Sequence, residues 1–561
     1  MKAIKEIVFK TALTVCPVCH THLVVYKTVR RTVKSIEMGE FVAVHKLMIC
    51  KKHKTIFRSE ELASLIGSHC IYANDVMVET GNRRYIGGRS CSEISKDLGI
   101  GISERHVRNL SNTAVEIFKI IHEENIAKIR ESMKSYILSI DGTVDSEYSM
   151  IVVVRDTISG FTLYAKKCSA ESYEEIKSIL QEIKLRFGEP AGIISDMRSG
   201  ILSAAKAVFP DVPKRICLMH FLRDLGKDLM DNMHIELGKA INRKGIKNAL
   251  KRILRSLPVY DQETLDDLKA GFCRDRNKME QMAIRRIIEP VVMHTGSSGY
   301  GFPFTLKNLN FYGLCKEALN KLEELSEKIN GQDAKMIMEE IRTLLKFVTA
   351  NKEIKEQAEK LAEVNKLFQK LRMAFKVPDH GKLSEDLEDD DLAELQTSIV
   401  IEELKVYMGV NIPAYLYKSA KHIIEKYEER KELLFSNNKD HTIPRTNNEM
   451  EQFFRKIRRN VRKRTGNTST GRLLTINGES LALFQNMGNE KYVKLVFGTK
   501  DLGSTFGKYR KLVTKKKMKK SQILELVDKG IEKILTDTLS ETPYTLEFME
   551  KAYNSVDLEK I

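Results

Sequence analysis

The sequence predicts a multidomain chain of mixed α/β class, and three observations carry that expectation. At 561 residues the chain exceeds what one hydrophobic core organises, which implies about three or four domains. Short apolar runs of strand character alternate with amphipathic stretches between positions 136 and 220. A long, charged, mainly helical stretch then runs from about 225 to 440. With 42% hydrophobic and 30% charged residues, the composition is that of folded protein rather than disordered chain.

The elements follow in order. Residues 1–57 read as β-rich and carry paired Cys and His, and 58–130 read as helical with short loops. Tyr136–Asp141, Ser149–Arg155 and Phe161–Lys166 read as three strands, with the Asp156–Gly160 turn making a hairpin of the last two. A helix is expected from Ser172 to Phe187, a strand over Gly192–Asp196, a helix over 199–207, and a strand over Lys214–Cys217 that enters another helix. The order βββαβαβα implies a mixed sheet with helices packed against it. Val377–Gly381 and the acidic run Glu385–Asp391 read as a loop or linker. Arg445–Arg464 is strongly basic, and the lysine-rich run over 508–520 reads as a flexible arm.

A net charge of +17, from 93 Lys and Arg against 76 Asp and Glu, favours a polyanionic partner. That partner is nucleic acid or an anionic membrane surface. No segment approaches the roughly 20 apolar residues that span a bilayer, and the N-terminus lacks a signal-peptide pattern. The expectation is therefore a protein without a membrane partner, cytoplasmic and associated with the nucleoid when it acts. Nine scattered cysteines argue for reduced thiols, some of them metal ligands, rather than a disulfide framework.

Cys16-Pro-Val-Cys19 and Cys50-Lys-Lys-His53 are two ligand pairs, each with two intervening residues, separated by β-like sequence. That pattern fits a zinc ribbon holding one structural Zn²⁺ in a tetrahedral site. His20, His22 and His45 are alternatives to His53. Buried free thiols are the alternative explanation.

Ser90–Leu110 has the layout of a helix-turn-helix. Ser92 is expected to cap a first helix bearing Ile94 and Leu98, Gly99–Gly101 to turn the chain, and Ser103 to cap a second helix with Val107 and Leu110 inward. Arg105, His106, Arg108 and Asn109 then face solvent, and these residue types suit phosphates and base edges. An ordinary helical hairpin would have the same layout.

Asp141 is expected to close the first core strand and Asp196 the fourth, so that in a sheet with those strands adjacent both carboxylates emerge at one edge. Two such groups can bridge a pair of divalent cations about 3.5–4 Å apart. A third carboxylate would come from the helix capped by Thr446 or Asn447. Glu451 is the candidate, and Glu449 competes for the place. Strand-end turn aspartates and a helix-dipole carboxylate are the alternative explanations. Arg455, Lys456, Arg458, Arg459, Arg462, Lys463 and Arg464 continue that helix as a phosphate-binding stripe.

Taken together, Ser139-Ile-Asp141-Gly-Thr143, Ile194-Ser-Asp196, Cys217-Leu-Met-His220 and Thr446-Asn-Asn-Glu-Met-Glu451 resemble the DDE transposases of the Mutator-like superfamily and related prokaryotic insertion-sequence transposases. The resemblance covers roughly 135 to 490. It implies a ribonuclease H-like α/β catalytic core with a large α-helical insertion, preceded by the zinc ribbon and the helix-turn-helix. It also implies that Asp141, Asp196 and Glu451 form the catalytic triad, holding Mg²⁺ or Mn²⁺. The second Glu, two residues before the expected one, departs from the family pattern. His220 is read as a substrate or phosphate contact and Cys217 as packed.

The implied organisation is a zinc-ribbon-like module over 1–57, a helix-turn-helix region over 58–130, the first part of the core over 131–228, the insertion over 229–440, the return of the core over 441–490, and a basic C-terminal region over 491–561. The expected function is metal-dependent DNA cleavage and strand transfer at transposon ends. Arg105, Arg108 and Asn109 would read sequence, while Arg455, Arg458, Arg459 and Arg462 would hold phosphates. The expected partners are the terminal repeats and target DNA, with the protein acting as a homodimer or higher homo-oligomer. A sequence-specific regulator derived from a transposase, or a divalent-metal nuclease without strand joining, are the alternatives.

Overall fold

The computed structural model describes residues 5–144, 150–243, 245–272, 274–294, 301–377, 390–436, 443–466, 471–513, 526–527 and 529–530. The described chain is of mixed α/β class and mainly helical. It divides into two compact units, one made of residues 1–190 and 449–561 and the other of 191–448.

In chain order the first unit begins with β1 (Lys5–Phe9), β2 (Val24–Ser35), β3 (Gly39–Ile49) and β4 (Ile56–Phe57). Strand β3 pairs with β1 in parallel and with β2 and β4 antiparallel. Helices α1 (Glu60–Leu65) and α2 (Asn74–Gly81) follow. Phe9, Val33 and Phe41 of the sheet pack with Leu62 and Ile66 of the α1 segment into a small core. A π-helical turn, Asn82–Ile86, leads to α3 (Cys91–Asp97), α4 (Glu104–Glu124) and α5 (Ile126–Ser132).

Strands β5 (Ile137–Val144), β6 (Met150–Asp156) and β7 (Thr162–Cys168) form an antiparallel meander, and α6 (Tyr173–Phe187) follows with Ser172 as its N-cap. All four lie within a residue or two of their predicted positions, except that β5 runs three residues past Asp141. Asp141 is therefore paired across from Val153 inside the strand and does not close it. The ladder with β6 continues as far as Val144 opposite Met150, and this extends the strand.

The second unit opens with β8 (Gly192–Ser195), α7 (Ser199–Val208) and β9 (Lys214–Ile216), β8 and β9 pairing in parallel. Helix α8 (Leu218–Asn242) runs without interruption through position 228, where the sequence reading ends the first part of the core. Helices α9 (Ile246–Ser256), α10 (Gln262–Lys269), α11 (Arg276–Met293), α12 (Lys307–Ser326), α13 (Gln332–Thr349), α14 (Lys352–Ala374), α15 (Asp390–Met408) and α16 (Ala414–Leu434) complete the unit. One large apolar core, from Ile216 to Leu434, holds them together.

The expected acidic linker is corrected at its end. Asp390 and Asp391 form the first turn of α15, where carboxylates oppose the positive pole of the helix. The rest of that run, 385–389, lies outside the described residues, as do 378–381 of the expected loop.

The chain returns to the first unit through α17 (Asn448–Thr465), α18 (Gly471–Phe484), α19 (Glu490–Phe497) and α20 (Leu502–Val513). Helix α4 is the spine on which α18, α19 and α20 pack. Phe118 meets Phe484 and Tyr492 at 5.3 and 5.9 Å between ring centroids. His122 is fully buried, with Nδ1 2.7 Å from the Tyr492 hydroxyl and Nε2 3.0 Å from the Leu163 carbonyl. Burial pushes its pKa down, so it serves as a neutral strut. Residues 508–513 of the expected flexible arm belong to α20, where Tyr509 pairs with Glu124 and Arg510 donates to Asn74. The lysines from 514 to 520 lie outside the described residues. Among the described residues no helix is long and apolar enough to cross a membrane.

Candidate functional sites: a Cys/His cluster and a set of carboxylates

The N-terminal ligand pairs converge. The ligand atoms of Cys16, Cys19, Cys50 and His53 all lie within 4.8 Å of one another. Each pair sits in a tight turn: the Cys16 amide bonds the Thr21 carbonyl and the Cys50 amide bonds the Thr55 carbonyl. Cys19 Sγ is 3.5 Å from Cys50 Sγ, and His53 Nδ1 is 3.8 and 3.7 Å from the Cys16 and Cys50 sulfurs. A tetrahedral zinc with Zn–S near 2.3 Å puts sulfurs about 3.8 Å apart, so the donor set fits such an ion without rearrangement. The Thr21 hydroxyl, 2.8 Å from Cys19 Sγ, is the largest influence holding that thiol down to about 6, toward the thiolate a metal needs. The cluster can bind a metal such as zinc. Among the alternatives to His53, His45 is used elsewhere: its Nε2 accepts the Ser59 amide at 3.2 Å.

The α3–turn–α4 segment keeps its expected inward and outward faces. Ile94 and Val107 are fully buried, and Arg105, His106, Arg108 and Asn109 are exposed. Gly99 and Gly101 take φ values of +63° and +64° in the turn, where a side chain would be strained. Ser103 caps α4 as expected, but the first cap is Ser90, not Ser92. Ser90 Oγ accepts the Glu93 amide at 3.2 Å, and the Glu93 carboxylate accepts the Ser90 amide at 2.7 Å. This reciprocal capping box needs an acid three residues on, which Ser92 lacks.

Asp196 follows the last residue of β8 and is 7% exposed. Burial is the main influence raising its pKa, and the like charge of Asp224 adds to it. The Arg198 amide, 3.2 Å away, and the charge of His220 oppose the rise. Asp196, His220 and Asp224 thus act on one another inside the second unit. Asp224 was missed in the sequence, although its place one turn after His220 on α8 puts both on one face.

Cys217 caps α8 and is buried, as expected. Its Sγ accepts the Asn447 amide at 3.2 Å, and the Arg445 carbonyl accepts the Leu218 amide at 2.9 Å. The segment 443–447 is therefore strapped across the head of α8. Asp390 holds the strap: it takes both terminal nitrogens of Arg215 at 2.6 and 2.9 Å and also pairs with Arg445. Arg215 is 2% exposed, and its Nη1 also donates to the Ile443 carbonyl. Nothing in the sequence linked Asp390 to Arg215 or Arg445, because the contacts join positions far apart.

In the first unit Asp141 is half-buried, and one of its carboxylate oxygens accepts the Gly142 amide at 2.8 Å. Glu449 and Glu451 both fall in the first turn of α17. Glu449 is engaged by Arg155 of β6 at 3.3 Å, and the same guanidinium lies 4.7 Å over the Phe453 ring. That pair accounts for Glu449 as an anchor of α17 on the meander. Past Glu451 the helix exposes Arg455, Lys456, Arg458, Arg459, Arg462 and Lys463, while Phe453, Phe454, Ile457 and Val461 are buried. Arg464 is the exception to the expected stripe. It turns inward 4.8 Å over the Tyr85 ring, and burial brings its pKa down to about 10.

No model of a known protein family matches the chain, and no curated protein matches it.

Proposed function

We propose that the protein is a DNA transposase of the DDE type. The observation that carries the reading is the run of elements around its acids. Asp141 lies on the first strand of a β5-β6-β7-α6-β8 succession, and Asp196 follows the fourth strand with its buried carboxylate held toward the protonated form. A helix headed by Cys217 and His220 comes next. A buried carboxylate with a second acid beside it suits an oxygen-ligated divalent cation, which would relieve both the desolvation and the repulsion.

On this reading Asp141, Asp196 and Glu451 would hold Mg²⁺ or Mn²⁺, which would supply charge stabilisation for phosphodiester cleavage. His220 contacts a phosphate. The exposed cations of α17 bring the backbone to the carboxylates, and the head of α4 reads the end sequence. Hydrolysis at a transposon end frees a 3′-hydroxyl, and that hydroxyl then displaces a 3′-oxygen in target DNA. The Cys16/Cys19/Cys50/His53 module is assigned a structural zinc. The protein is assigned a homo-oligomeric state on DNA.

The test uses the full chain, Mg²⁺ or Mn²⁺, and duplexes taken from the genomic DNA that flanks its coding sequence. Cleavage and joining should both appear. Asp141→Asn, Asp196→Asn and Glu451→Gln should each lower cleavage at least about 100- to 1000-fold while leaving DNA binding in place. Cleavage without joining would leave a nuclease, and binding without cleavage a regulator.

A further inference from the structure

The α2–α4 region and the inward side of α17 belong to the same unit and meet around one buried residue, Tyr85. Tyr85 is 1% exposed and sits in the π-helical turn Asn82–Ile86, a distortion found often at functional sites. Its ring lies under the Arg464 guanidinium of α17 at 4.8 Å and that of Arg84 at 5.0 Å. Its hydroxyl bonds Asn112 of α4. Arg84 continues into α4, donating to Ser111 Oγ at 2.8 Å, to Asn112 Oδ1 at 2.9 Å and to the Arg108 carbonyl at 3.3 Å.

On the α17 side, Asn460 donates to the Ile86 carbonyl at 3.2 Å. Gly88, at φ +67°, lets the chain pass so close that a Cβ there would lie 2.6 Å from Asn460 Oδ1. Lys463 is near enough to Glu93 of α3 for its charge to act on that carboxylate. The inward side of α17 is thus fastened to the α2–α4 region, and Arg455, Arg458, Arg459 and Arg462 remain outward.

We propose that the exposed head of α4 and the outward cations of α17 form one continuous surface for a single DNA duplex, with Tyr85 as the wedge that fixes their spacing. The surface rests on the reading of DNA as the partner. Its consequence is that the distance between the bases α4 reads and the phosphates α17 holds is set by packing rather than by a linker. Arg105 and Arg108 serve base edges on an end sequence and phosphates on a random duplex, Asn109 serves base edges, and the α17 arginines serve phosphates on both.

Affinity of the full chain for a random duplex of about 30 base pairs, measured against salt concentration, tests this. Each phosphate that is no longer neutralised takes about 0.9 from the slope of log K against log salt. Replacing Arg458, Arg459 and Arg462 by Ala should flatten the slope by up to about 2.7, and replacing Arg105 and Arg108 by up to about 1.8, on the same duplex. The combined variant should flatten it by the sum, at one duplex per protein chain.

Tyr85→Phe keeps the ring and loses only the hydroxyl bond to Asn112, so it should weaken binding less than Tyr85→Ala does. Tyr85→Ala, if folded, should weaken binding at least about tenfold, because two surfaces no longer held in register lose their mutual avidity. Two duplexes per chain, a slope that one set leaves unchanged, or parental affinity in folded Tyr85→Ala would overturn the proposal. If Tyr85→Ala does not fold, the slopes and stoichiometry decide alone. Cleavage by a protein that binds two duplexes per chain would sink the shared surface and spare the transposase. One duplex with additive slopes and no cleavage would do the reverse.

Discussion

The four Cys/His ligands and the three candidate carboxylates draw on the chain in opposite ways. The module takes four ligands from two turns within residues 16–53, and each turn is closed by its own backbone hydrogen bonds. The carboxylates sit at 141, 196 and 451, on elements whose placement depends on distant packing. The difference teaches that a small structural site can be written into a few residues. The head of α8, which bears His220, is held by contacts that have no local signature, such as Asp390 on Arg215 and Arg445.

The largest effect should come from breaking the local site. Cys16→Ser or Cys50→Ser should abolish tight zinc binding and unfold the module, since structural zinc contributes about 10–16 kcal/mol of apparent binding free energy in small domains. Metal content and limited proteolysis within residues 5–57 would check this. One equivalent of zinc retained in the Cys16→Ser, Cys50→Ser double variant would place the ion elsewhere.

Breaking the distant support is next. Asp390→Asn leaves two buried guanidiniums without their carboxylate and should destabilise the second unit by about 3–5 kcal/mol. Denaturant unfolding measures it, and a change below about 1 kcal/mol would reduce the clamp to a surface pair.

Smaller and opposite in sign is the effect of Asp196. Its folded pKa is raised, so the native state holds the proton to higher pH than the unfolded chain. Stability from this group is therefore greatest below the unfolded value near 3.9 and falls as pH rises through the window up to the raised value. At neutral pH without divalent cations, Asp196→Asn should stabilise the protein by about 1 kcal/mol, or roughly 2–4 °C in Tm. Mg²⁺ should stabilise the parent and not the variant; equal Tm gains in both would remove Asp196 from the metal site.

The smallest change is expected at Glu449. Glu449→Gln should leave cleavage within about twofold and cost at most about 1 kcal/mol, the range of a partly exposed ion pair. Loss of cleavage there with activity retained in Glu451→Gln would move the third carboxylate by two positions.

Much of the architecture was legible because periodicity and punctuation are local. Strands β6 and β7, helix α6 and the head of α8 fall within a residue or two of where the apolar runs put them, and β5 begins there but runs on past Asp141. The misreadings share one cause. Ser92 lost to Ser90 because the Glu93 partner decides the cap, and Arg464 left the cationic stripe because an aromatic ring lay within its reach. Asp390 read as the end of a loop or linker, and two buried arginines claim it instead.

By itself the sequence determined the mixed class, the two ligand turns and the faces of α3 and α4. These follow from residues a few positions apart, whose backbone geometry is fixed by short-range sterics and hydrogen bonding. Only the tertiary structure decided between Glu449 and its neighbour as the anchor bonded to Arg155, made Asp224 a neighbour in charge of Asp196, and set Tyr85 between α4 and α17. Those outcomes depend on which side chain meets which after hundreds of residues of intervening chain have packed. Burial and partner charge, which set each group's energy, exist only once that packing is complete.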